Sequence, residues 1–530
     1  MTSTFHSIET ARRSLFTQTT ALATTGHNIS NANTEGYTRQ RVRMTASLPI
    51  EPYGLNHSTV PGQLGTGVEF TSIDRIREQF LDDQYRGENA GFGNWNIQSD
   101  TLDKLEAIVN EPSTTGIRTV MDNFWKSWSD LSKNPQDPTA RKIVTQTAQA
   151  LTDAMNYMSN QLNNLDNDLA TNLTVKGQEV QGYLTSIADL NQAIYKIEGM
   201  GDKANDLRDQ RDLMVDKLSK IVNITMVDTD NGYNISMGGL PLVQGAAVSA
   251  AVDTAFLNNA YATGDLRGGE AYGMIFSSRT YVADYKKQLD NMANTLANGQ
   301  VEVTIPAGST LPAGTMVDTD STITKSDGTV IQLAAGSAVP DPLDGDLKTT
   351  VKGLNGLHQL GYALNGSTGR PFFTSSPVGA PITAGNIKLN PEIAEDPSLF
   401  ATSLRATKDT NGNVQVISGN NTLALLVSTL KDSNFVAADK SKTGTIGSYL
   451  SSMVGQLGIQ SQEAARQTQN ADFLVEQVNS RRQSVSGVSL DEEMSNMIMY
   501  QHAYSAAARF MTTFDQLLDK LINSTGTVGR

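Results

Sequence analysis

The chain has 530 residues, with 41 Lys and Arg against 55 Asp and Glu, and its formal net charge is -14. This length leaves room for several domains, and the acidic balance argues against nucleic acid or an anionic membrane as the main partner. The chain has no cysteine, which excludes disulfides, thiolate metal sites and cysteine nucleophiles. Since no apolar run approaches the ~20 residues that span a bilayer, we expect no membrane insertion, and nothing marks a cleavable leader.

The first predicted element is a helix near the N-terminus. Four apolar residues recur in it at every seventh position, namely Ile8, Leu15, Leu22 and Ile29. A stripe with this spacing faces a partner helix in a coiled coil. The pattern ends at Ser30 and Asn31, which favour turns, and residues 37–77 are predicted as loop and short strands punctuated by glycines such as Gly62.

Two further helices are predicted over residues 80–109 and 116–131, with Pro112 as the break between them. Trp125 and Trp128 lie at helical spacing in the second helix. Large aromatic residues at this spacing are typical of a core, so we expect both side chains to be buried and not to form a binding face.

The most regular periodicity comes next, in two apolar stripes whose steps alternate between four and three residues. The stripes cover residues 144–169 and 180–197, and they predict two long helices that form an antiparallel hairpin or part of a bundle. A third helix is predicted to begin near Asn205 or Asp206, either of which is a suitable cap. Its charged residues are predicted to form a solvated face of weak pairs rather than a recognition patch: Arg208, Asp209, Arg211 and Asp212.

At Ile224 the period changes from helical to alternating, and Asp230-Asn231-Gly232 is a strong signal for a two-residue hairpin turn. Residues 238–419 are rich in Gly, Ser, Thr, Pro and Asp, and they predict a β-rich domain with one helical interlude at residues 281–298. Within this domain, residues 299–352 are predicted to form an accessory β insertion, with an ordered surface loop as the alternative.

Helix returns at residues 422–430 and again from Leu450 to Arg482, and Gly487 ends this long helix. The terminal helix carries a second seven-residue repeat, made of Leu490, Met497, Tyr504, Met511 and Leu518. The other seam position of its stripe is assigned to Met494, Ala508 and Ile522. Ser489 and Glu492 have the spacing of a capping box at the start of this helix.

The matching repeats predict that the two terminal helices pair with each other. Polar residues dilute both stripes, so we expect the pair to become ordered mainly when subunits stack. Two ordinary core helices are the alternative interpretation. In either case the predicted fold class is α+β and multidomain, with terminal coiled-coil helices, a long-helix bundle domain and a looped-out β-rich domain.

The predicted domains are nested along the chain. Residues 1–50 and 487–530 form the terminal coiled-coil domain, and residues 51–237 and 420–486 form the helical domain. Residues 238–419 form the β-rich outer domain, which carries the accessory β insertion at residues 299–352.

Residues 21–39 read ALATTGHNISNANTEGYTR and resemble the signature shared by flagellar rod, hook and junction proteins. Four further sets of residues narrow the resemblance to the hook-filament junction subunits: 134–137 with Arg141, 205–212, 238–245, and the C-terminal Gln501, Tyr504 and Ala506 to Arg509. The chain is therefore identified as similar to the flagellar axial proteins over nearly its whole length, apart from about residues 299–352.

The resemblance implies a structural subunit that is exported unfolded through the flagellar type III apparatus. It would assemble as a ring of copies at the distal end of the hook, outside the cell. Hook protein below and hook-associated protein 3 above would be its axial partners. A cytoplasmic flagellar export chaperone would hold its C-terminal helices before secretion. The two apolar stripes of the terminal helices would then be the subunit interface.

No catalytic constellation stands out in the sequence. The five histidines are scattered and none has metal-ligand spacing. We therefore expect no catalytic residue, cofactor or metal site, and a wall hydrolase hidden in the insertion has no paired carboxylates to favour it. The alternatives that remain are another axial protein, either hook protein or hook-associated protein 3, and an extracellular surface-binding module.

Overall fold

The structure, a computed structural model, describes residues 5–49, 65–111, 113, 116–408, 414–437, 440 and 442–524. The chain divides into two compact units. Unit 1 contains residues 1–96, 173–273 and 467–530, and unit 2 contains residues 97–172 and 274–466. The predicted Gly62 turn and the predicted break at Pro112 lie outside the described residues.

Helices dominate both units, and strands form several small sheets. The α-helices are α1 (His6–Ser30), α2 (Gln79–Val109), α3 (Ile117–Lys133), α4 (Pro138–Glu198), α5 (Asn205–Ile221), α6 (Thr254–Thr263), α7 (Glu270–Phe276), α8 (Ala283–Asn298), α9 (Gly353–Gln359), α10 (Pro391–Glu395), α11 (Thr422–Thr429), α12 (Ile446–Ser486) and α13 (Leu490–Ser524). This mixture of long helices and separate antiparallel sheets confirms the predicted α+β class.

The strands are short and pair antiparallel. They are β1 (Gln40–Ala46), β2 (Val68–Arg75), β3 (Thr225–Thr229), β4 (Gly232–Met237), β5 (Leu240–Gln244), β6 (Ala247–Val248), β7 (Gln300–Ile305), β8 (Ser321–Lys325), β9 (Val330–Leu333), β10 (Gly345–Lys352), β11 (Phe373–Ser375), β12 (Ile387–Leu389), β13 (Ala406–Lys408), β14 (Val414–Val416), β15 (Phe435–Val436) and β16 (Thr443–Gly444). Unit 1 holds the β1–β2 hairpin and the sheet β3-β4-β5-β6.

The β3–β4 hairpin has the turn that the sequence predicts. Thr229 pairs with Gly232, so Asp230 and Asn231 form a two-residue loop. Gly232 has a φ of +105°, and a Cβ built on it would lie 2.6 Å from the side chain of Asn191. Both the backbone conformation and the space therefore require glycine here.

The predicted hairpin of two long helices is wrong, because residues 138–198 form the single 61-residue helix α4. The two apolar stripes are in phase with each other. Leu173 follows Leu169 by one turn and is buried like it, and Val180 continues the same face seven residues later. Since no proline separates the stripes, nothing interrupts the backbone hydrogen bonds.

The sequence also indicates helical character near Val351 and Leu354, where α9 lies, but the prediction of a single further helical interlude in residues 238–419 is wrong, because α6, α7 and α10 lie there as well. Helix α6 has ordinary end signals that the composition of the segment conceals. The Asp253 carboxylate accepts the backbone N–H of Phe256, 2.7 Å away, and Gly264 ends the helix in the left-handed conformation.

Unit 2 contains a six-stranded sheet in the order β16-β15-β7-β10-β8-β9. Four of these strands come from the predicted insertion, and β15 pairs with β7 at its edge. The insertion therefore shares its sheet with residues 435–444. The division of the chain into terminal, helical and outer domains stays a prediction.

An aromatic core lies in unit 2, and it confirms that the two tryptophans of α3 are buried. Trp128 contacts Phe372 and Phe400, each at 5.4 Å between ring centroids. Phe124 lies 6.1 Å from Phe373 in the same cluster. These aromatic pairs come from sequence positions far apart, so burying them holds α3 against the segments that carry β11 and β12.

Arg141 lies fully buried at one edge of this cluster. Its guanidinium donates to the carbonyls of Pro135 and Phe400, at 2.8 and 2.9 Å, and to the Thr402 hydroxyl at 2.7 Å. Burial is the main cause that lowers the pKa of Arg141 to about 10. Arg141 thus connects the turn that precedes α4 to the distant segment that contains Phe400 and Thr402. The motif at residues 134–141 therefore has a structural role.

His358 is the only histidine of unit 2, and it is completely buried. Its Nδ1 lies 2.5 Å from the Arg370 carbonyl, and its Nε2 accepts the Ala401 backbone N–H at 2.8 Å. Nδ1 therefore carries the proton and the ring is neutral. Burial lowers the pKa of His358 to about 4, against a partial rise from the bond to Arg370.

Acidification from pH 7 to pH 5 should destabilise unit 2 by about 2 kcal/mol through this histidine. The pKa of His358 is depressed on folding, so its neutral form stabilises the fold above the unfolded pKa of about 6.5, and that stabilisation is lost as the pH falls toward 4. Amide exchange of β11 and β12 at the two pH values measures the change. His358→Asn should flatten this dependence, whereas His502→Asn, at an exposed position, should preserve it.

None of the helices among the described residues combines the length and the apolar character needed to cross a membrane.

Candidate subunit interface on the terminal helices

The two terminal helices α1 and α13 pack against each other in unit 1. The Asn28 side chain, in the last turn of α1, donates to Glu493 Oε2 in the first turn of α13 at 3.0 Å. Because the end of one helix meets the start of the other, the two helices run antiparallel. Helix α1 also contacts the β1–β2 hairpin, where Phe16 and Phe70 lie 5.6 Å apart between ring centroids.

On α1, the predicted stripe lies beside the most deeply buried positions and not on them. Its four residues are half-buried, namely Ile8, Leu15, Leu22 and Ile29. The fully buried residues are small: Ala11, Thr17, Ala21, Thr24, Thr25 and Asn28. Small side chains let the neighbouring backbone elements approach α1 closely, so the larger side chains lie at the edges of the contact.

On α13, three residues of the predicted repeat are half-buried: Met497, Met511 and Leu518. Leu490 and Tyr504 are more exposed. The predicted second seam position is wrong at two of its three residues, since Met494 is 58% exposed and Ile522 is 72% exposed, whereas Ala508 is half-buried. Other half-buried residues lie three positions after members of the repeat, at Tyr500, Ala507 and Phe514.

Helix α13 exposes more apolar residues than is usual for a helix whose surface stays in contact with solvent. They are Leu490, Met494, Ile498, Met499, Tyr504, Phe510, Leu517, Leu521 and Ile522. Leu490, Met494 and Ile498 follow one another at steps of four and form one stripe along the helix. Phe510, Leu517 and Leu521 form another. Single exposed apolar residues are normal, but contiguous stripes of them mark an interaction surface.

A buried ion pair fixes the base of the helix pair. Arg39 Nε lies 2.7 Å from Glu493 Oε1, and Arg39 Nη1 lies 2.7 Å from Glu492 Oε2. The backbone N–H of Arg39 donates to the Ser486 carbonyl at 2.9 Å, at the end of α12. One residue thus connects the start of β1 to both C-terminal helices. The sequence predicted Glu492 as part of a capping box, and it predicted no site role for Arg39 or Glu493.

Asn28 completes this arrangement with its other side-chain atom. Its Oδ1 accepts the backbone N–H of Gln40 at 3.0 Å and the hydroxyl of Tyr37 at 2.8 Å. Burial and the carboxylates nearby raise the pKa of the Tyr37 hydroxyl. The signature at residues 21–39 therefore has a structural meaning, because it supplies Asn28, Tyr37 and Arg39 to the base of the helix pair.

The predicted cap of α13 is half formed. Ser489 Oγ accepts the backbone N–H of Glu492 at a long 3.5 Å, and the Glu492 carboxylate is turned to Arg39. The predicted cap of α5 is wrong, because its N-cap residue is Ala204, which makes no side-chain capping hydrogen bond. Asn205 instead donates to the Ile73 carbonyl of β2 at 2.8 Å.

Replacing Glu493 by glutamine should weaken the docking of α13 on α1 and β1 by about 2–3 kcal/mol. Glu493 is 2% exposed, and the change leaves the partly buried Arg39 with one exposed partner. Glu492→Gln is the matched control, because its side chain is 62% exposed and pairs with the same arginine. We expect at most about 0.5 kcal/mol from it. Amide exchange of α1 and α13 measures both, and equal effects would contradict the assignment.

Next to this base lies a network of buried charges on α5, where the sequence predicts a solvated face. Asp212 lies 2.9 Å from Arg75 Nη1, 3.4 Å from Arg77 and 3.4 Å from Arg86, and it accepts the Tyr233 hydroxyl at 2.7 Å. Although burial opposes it, the three arginines hold the pKa of Asp212 well below its usual range. The prediction of weak surface pairs is therefore wrong for this residue.

The network extends along the same face of α5. Asp209 accepts Arg75 at 2.7 Å and the backbone N–H of Thr38 at 2.9 Å. Asp216 pairs with Arg86 at 2.8 Å and with Arg482 of α12 at 2.7 Å. These contacts connect α5 to β2, to α2, to α12 and to the strand entry beside Arg39. The motif at residues 205–212 thus supplies buried charges that hold the neighbouring elements together beside the base of the helix pair.

Two of the histidines have structural contacts. His27 Nε2 lies 3.3 Å from Asp206 Oδ1, and His358 is the buried residue described above. Within the described ranges, no three His, Asp or Glu side chains come together in an arrangement that could hold a metal ion.

Comparison with known proteins gives a consistent result. Residues 102–303 match the family described as the flagellar hook-associated protein FlgK helical domain. Residues 8–38 match the flagella basal body rod protein family, and residues 480–524 match the C-terminal family of the flagellar basal body rod FlgEFG proteins. The two terminal matches cover most of α1 and α13.

Full-length relatives carry one name. The chain is 33% identical to flagellar hook-associated protein 1 of Bacillus subtilis (strain 168), with 100% of both chains covered. It is 26% identical to flagellar hook-associated protein 1 of Salmonella typhimurium, over 95% of this chain and 97% of the relative. A solved structure of the flagellar hook junction protein FlgK from Burkholderia pseudomallei aligns at a TM-score of 0.48 and 17% identity, covering 76% of this chain and 100% of that one.

Proposed function

The chain belongs to the family of flagellar hook-associated protein 1, a structural component of the flagellum at the hook-filament junction, and we propose that its terminal helices are the surface through which it assembles there. The observation that carries the proposal is the set of exposed apolar stripes on α13. In a polymer, copies of this helix and of neighbouring axial proteins would cover them.

The subunit interface consists of the two helices as a unit. On α1 it includes Ile8, Leu15, Leu22 and Ile29, and on α13 it includes Leu490, Met497, Tyr504, Met511 and Leu518. Their partial exposure supports this proposal, because a residue that is half-buried within one subunit still has surface to offer to the next. The exposed Phe510, Leu517 and Leu521 extend this surface.

The proposed position of the chain in the flagellar axis determines which proteins would be its neighbours. Hook protein would lie below a ring of copies, and hook-associated protein 3 would lie above it. A cytoplasmic export chaperone would cover the C-terminal helices until secretion through the type III apparatus. The absence of cysteine supports this route, since no disulfide has to form or break on the way. The role is structural and not enzymatic.

Electron microscopy of cells that lack this chain, with an assay for flagellin in the medium, tests the proposal. We expect complete hooks without filaments, and free flagellin outside the cells. The intact gene supplied in trans should restore the filaments. Missing hooks would place the protein lower in the axis, and normal filaments would contradict a junction role.

A further inference from the structure

Three of the methionines lie within six residues at the start of α13, at positions 494, 497 and 499. Met494 is 58% exposed and Met499 is 55% exposed, whereas Met497 faces the helix pair and is half-buried. By contrast, Met155, Met274 and Met292 are buried in the core. Two thioethers on the proposed assembly surface are therefore open to solvent in the free subunit.

The chain has no cysteine, so no thiol competes for a mild oxidant. Methionine is then the side chain that peroxide oxidises most readily, and the rate follows the exposure of the sulfur atom. In the proposed role, the apolar surface of α13 is uncovered between release from the chaperone and assembly, so peroxide can reach its methionines in that interval.

We infer that Met494 and Met499 are oxidation sites, and that their sulfoxides prevent α13 from joining an assembly. The inference rests on the proposed function. In the reaction, the methionine sulfur attacks one oxygen of hydrogen peroxide, the O–O bond breaks and an S–O bond forms. The sulfur loses two electrons, and the other oxygen leaves as hydroxide, which takes up the released proton and becomes water.

The product disfavours burial for a simple reason. The thioether is apolar and flexible, which suits it to packing against varied partners, whereas the sulfoxide is polar and needs a hydrogen bond when it is buried. Met494 lies between Leu490 and Ile498 on its stripe, and both neighbours are apolar. A sulfoxide in the covered stripe would therefore lack a partner from these side chains.

The test measures binding of the purified, full-length chain to hooks isolated from cells that lack it. The labelled chain is used before and after treatment with hydrogen peroxide, binding is read by co-sedimentation, and mass spectrometry reports the sulfoxide at each methionine. Untreated chain should bind, and oxidation of both residues should weaken binding at least about tenfold. Met494 and Met499 should oxidise much faster than Met155.

Matched variants separate these sites from other exposed methionines. M494L/M499L is compared with itself before and after treatment, and peroxide should not lower its binding. M200L/M316L removes two methionines that are also exposed but lie outside α13, and it should lose binding on treatment as the unaltered chain does. M494Q/M499Q carries a polar group of similar size and should bind poorly without any peroxide.

The outcomes distinguish the inference from the proposed function. Untreated chain that fails to bind hooks overturns the proposed function and the inference with it. Untreated chain that binds, and that binds equally well after oxidation at both residues, overturns the inference alone. The inference alone is also overturned if M494Q/M499Q binds hooks as well as the unaltered chain does. This second test does not depend on whether the leucine variant folds.

Discussion

Replacing Asp212 by alanine should lower the free energy of unfolding of unit 1 by about 3–5 kcal/mol. Asp212 lies within 3.4 Å of Arg75, Arg77 and Arg86, all of which are largely buried. Removing the carboxylate leaves their positive charges in a poorly solvated interior, and the Tyr233 hydroxyl loses its acceptor. Such an uncompensated buried charge costs far more than the lost pair itself contributes.

Chemical denaturation followed by amide exchange of α5 measures this loss for unit 1 alone. Asp83→Ala is the matched control, because Asp83 lies 3.9 Å from the same Arg86 but is 54% exposed. We expect less than about 1 kcal/mol from it. Asp212→Asn, which keeps most of the volume, should also be strongly destabilising. A loss below about 1 kcal/mol for both Asp212 variants would contradict the assigned network.

The same residue gives unit 1 a dependence on acid. The pKa of Asp212 is depressed in the folded state, so its stabilisation is complete above the unfolded pKa of about 3.9 and is lost as the pH falls below that value. Asp209 has the opposite shift, since burial raises its pKa, so its protonation stabilises the fold as the pH falls toward about 3.9, before the loss through Asp212 sets in. Asp212→Asn should therefore show a weaker decline in stability below pH 4 than the unaltered chain.

Replacing Ala21 by glutamate should separate the terminal helices and prevent incorporation into the flagellum. Ala21 is 1% exposed in the middle of α1, so the new side chain would place a charge in a buried position that holds only a methyl group. The expected cost is several kcal/mol, because the charge would be buried without a partner. Leu15→Asp with Leu518→Asp should act in the same direction but more weakly per residue, because both positions are only half-buried.

Ala23→Glu is the matched control for this prediction, because Ala23 lies two positions further along the same helix and is exposed within the subunit. Amide exchange of the free chains should show loss of protection in α1 and α13 for Ala21→Glu alone. Filament counts in cells that carry each variant give the functional result. Normal filaments with Ala21→Glu would mean that docking of α1 is not needed for assembly.

In the terminal helices, the apolar repeats predict where the helices lie but not every residue that faces the partner helix. The spacing of Ile8 to Ile29 and of Leu490 to Leu518 predicted two helices, and the structure has them at His6–Ser30 and Leu490–Ser524. The apolar repeat does not identify the residues at the second seam position of α13. A helix with apolar residues on several faces satisfies a step of three as well as a step of four, so only the position of its partner decides between them.

The charges of α5 show where local reasoning fails. Arg208, Asp209, Arg211 and Asp212 look like a solvated face when only the helix itself is considered. The partners of Asp209 and Asp212 in β2 and α2 lie more than 100 residues earlier in the chain, and Arg482, the partner of Asp216, lies far beyond α5. Burial of a charge depends on such distant partners, and no local pattern marks them.

The motifs that carried the family resemblance are explained by the same kind of contact. Asn28, Tyr37 and Arg39 meet at the base of the terminal helices, and Arg141 closes a turn in unit 2. The sequence identified these stretches as distinctive, but their chemistry becomes visible only when their hydrogen-bond partners are known. None of these four residues was predicted as part of the subunit interface.

Immunogold electron microscopy of intact flagella tests the central claim most directly. An epitope inserted at the exposed Asp327-Gly328 turn, between β8 and β9, lies well away in sequence from both terminal helices. The account predicts gold particles in one narrow band per flagellum, where the hook meets the filament. Label distributed along the filament or the hook, or on the cell surface without flagella, would contradict it.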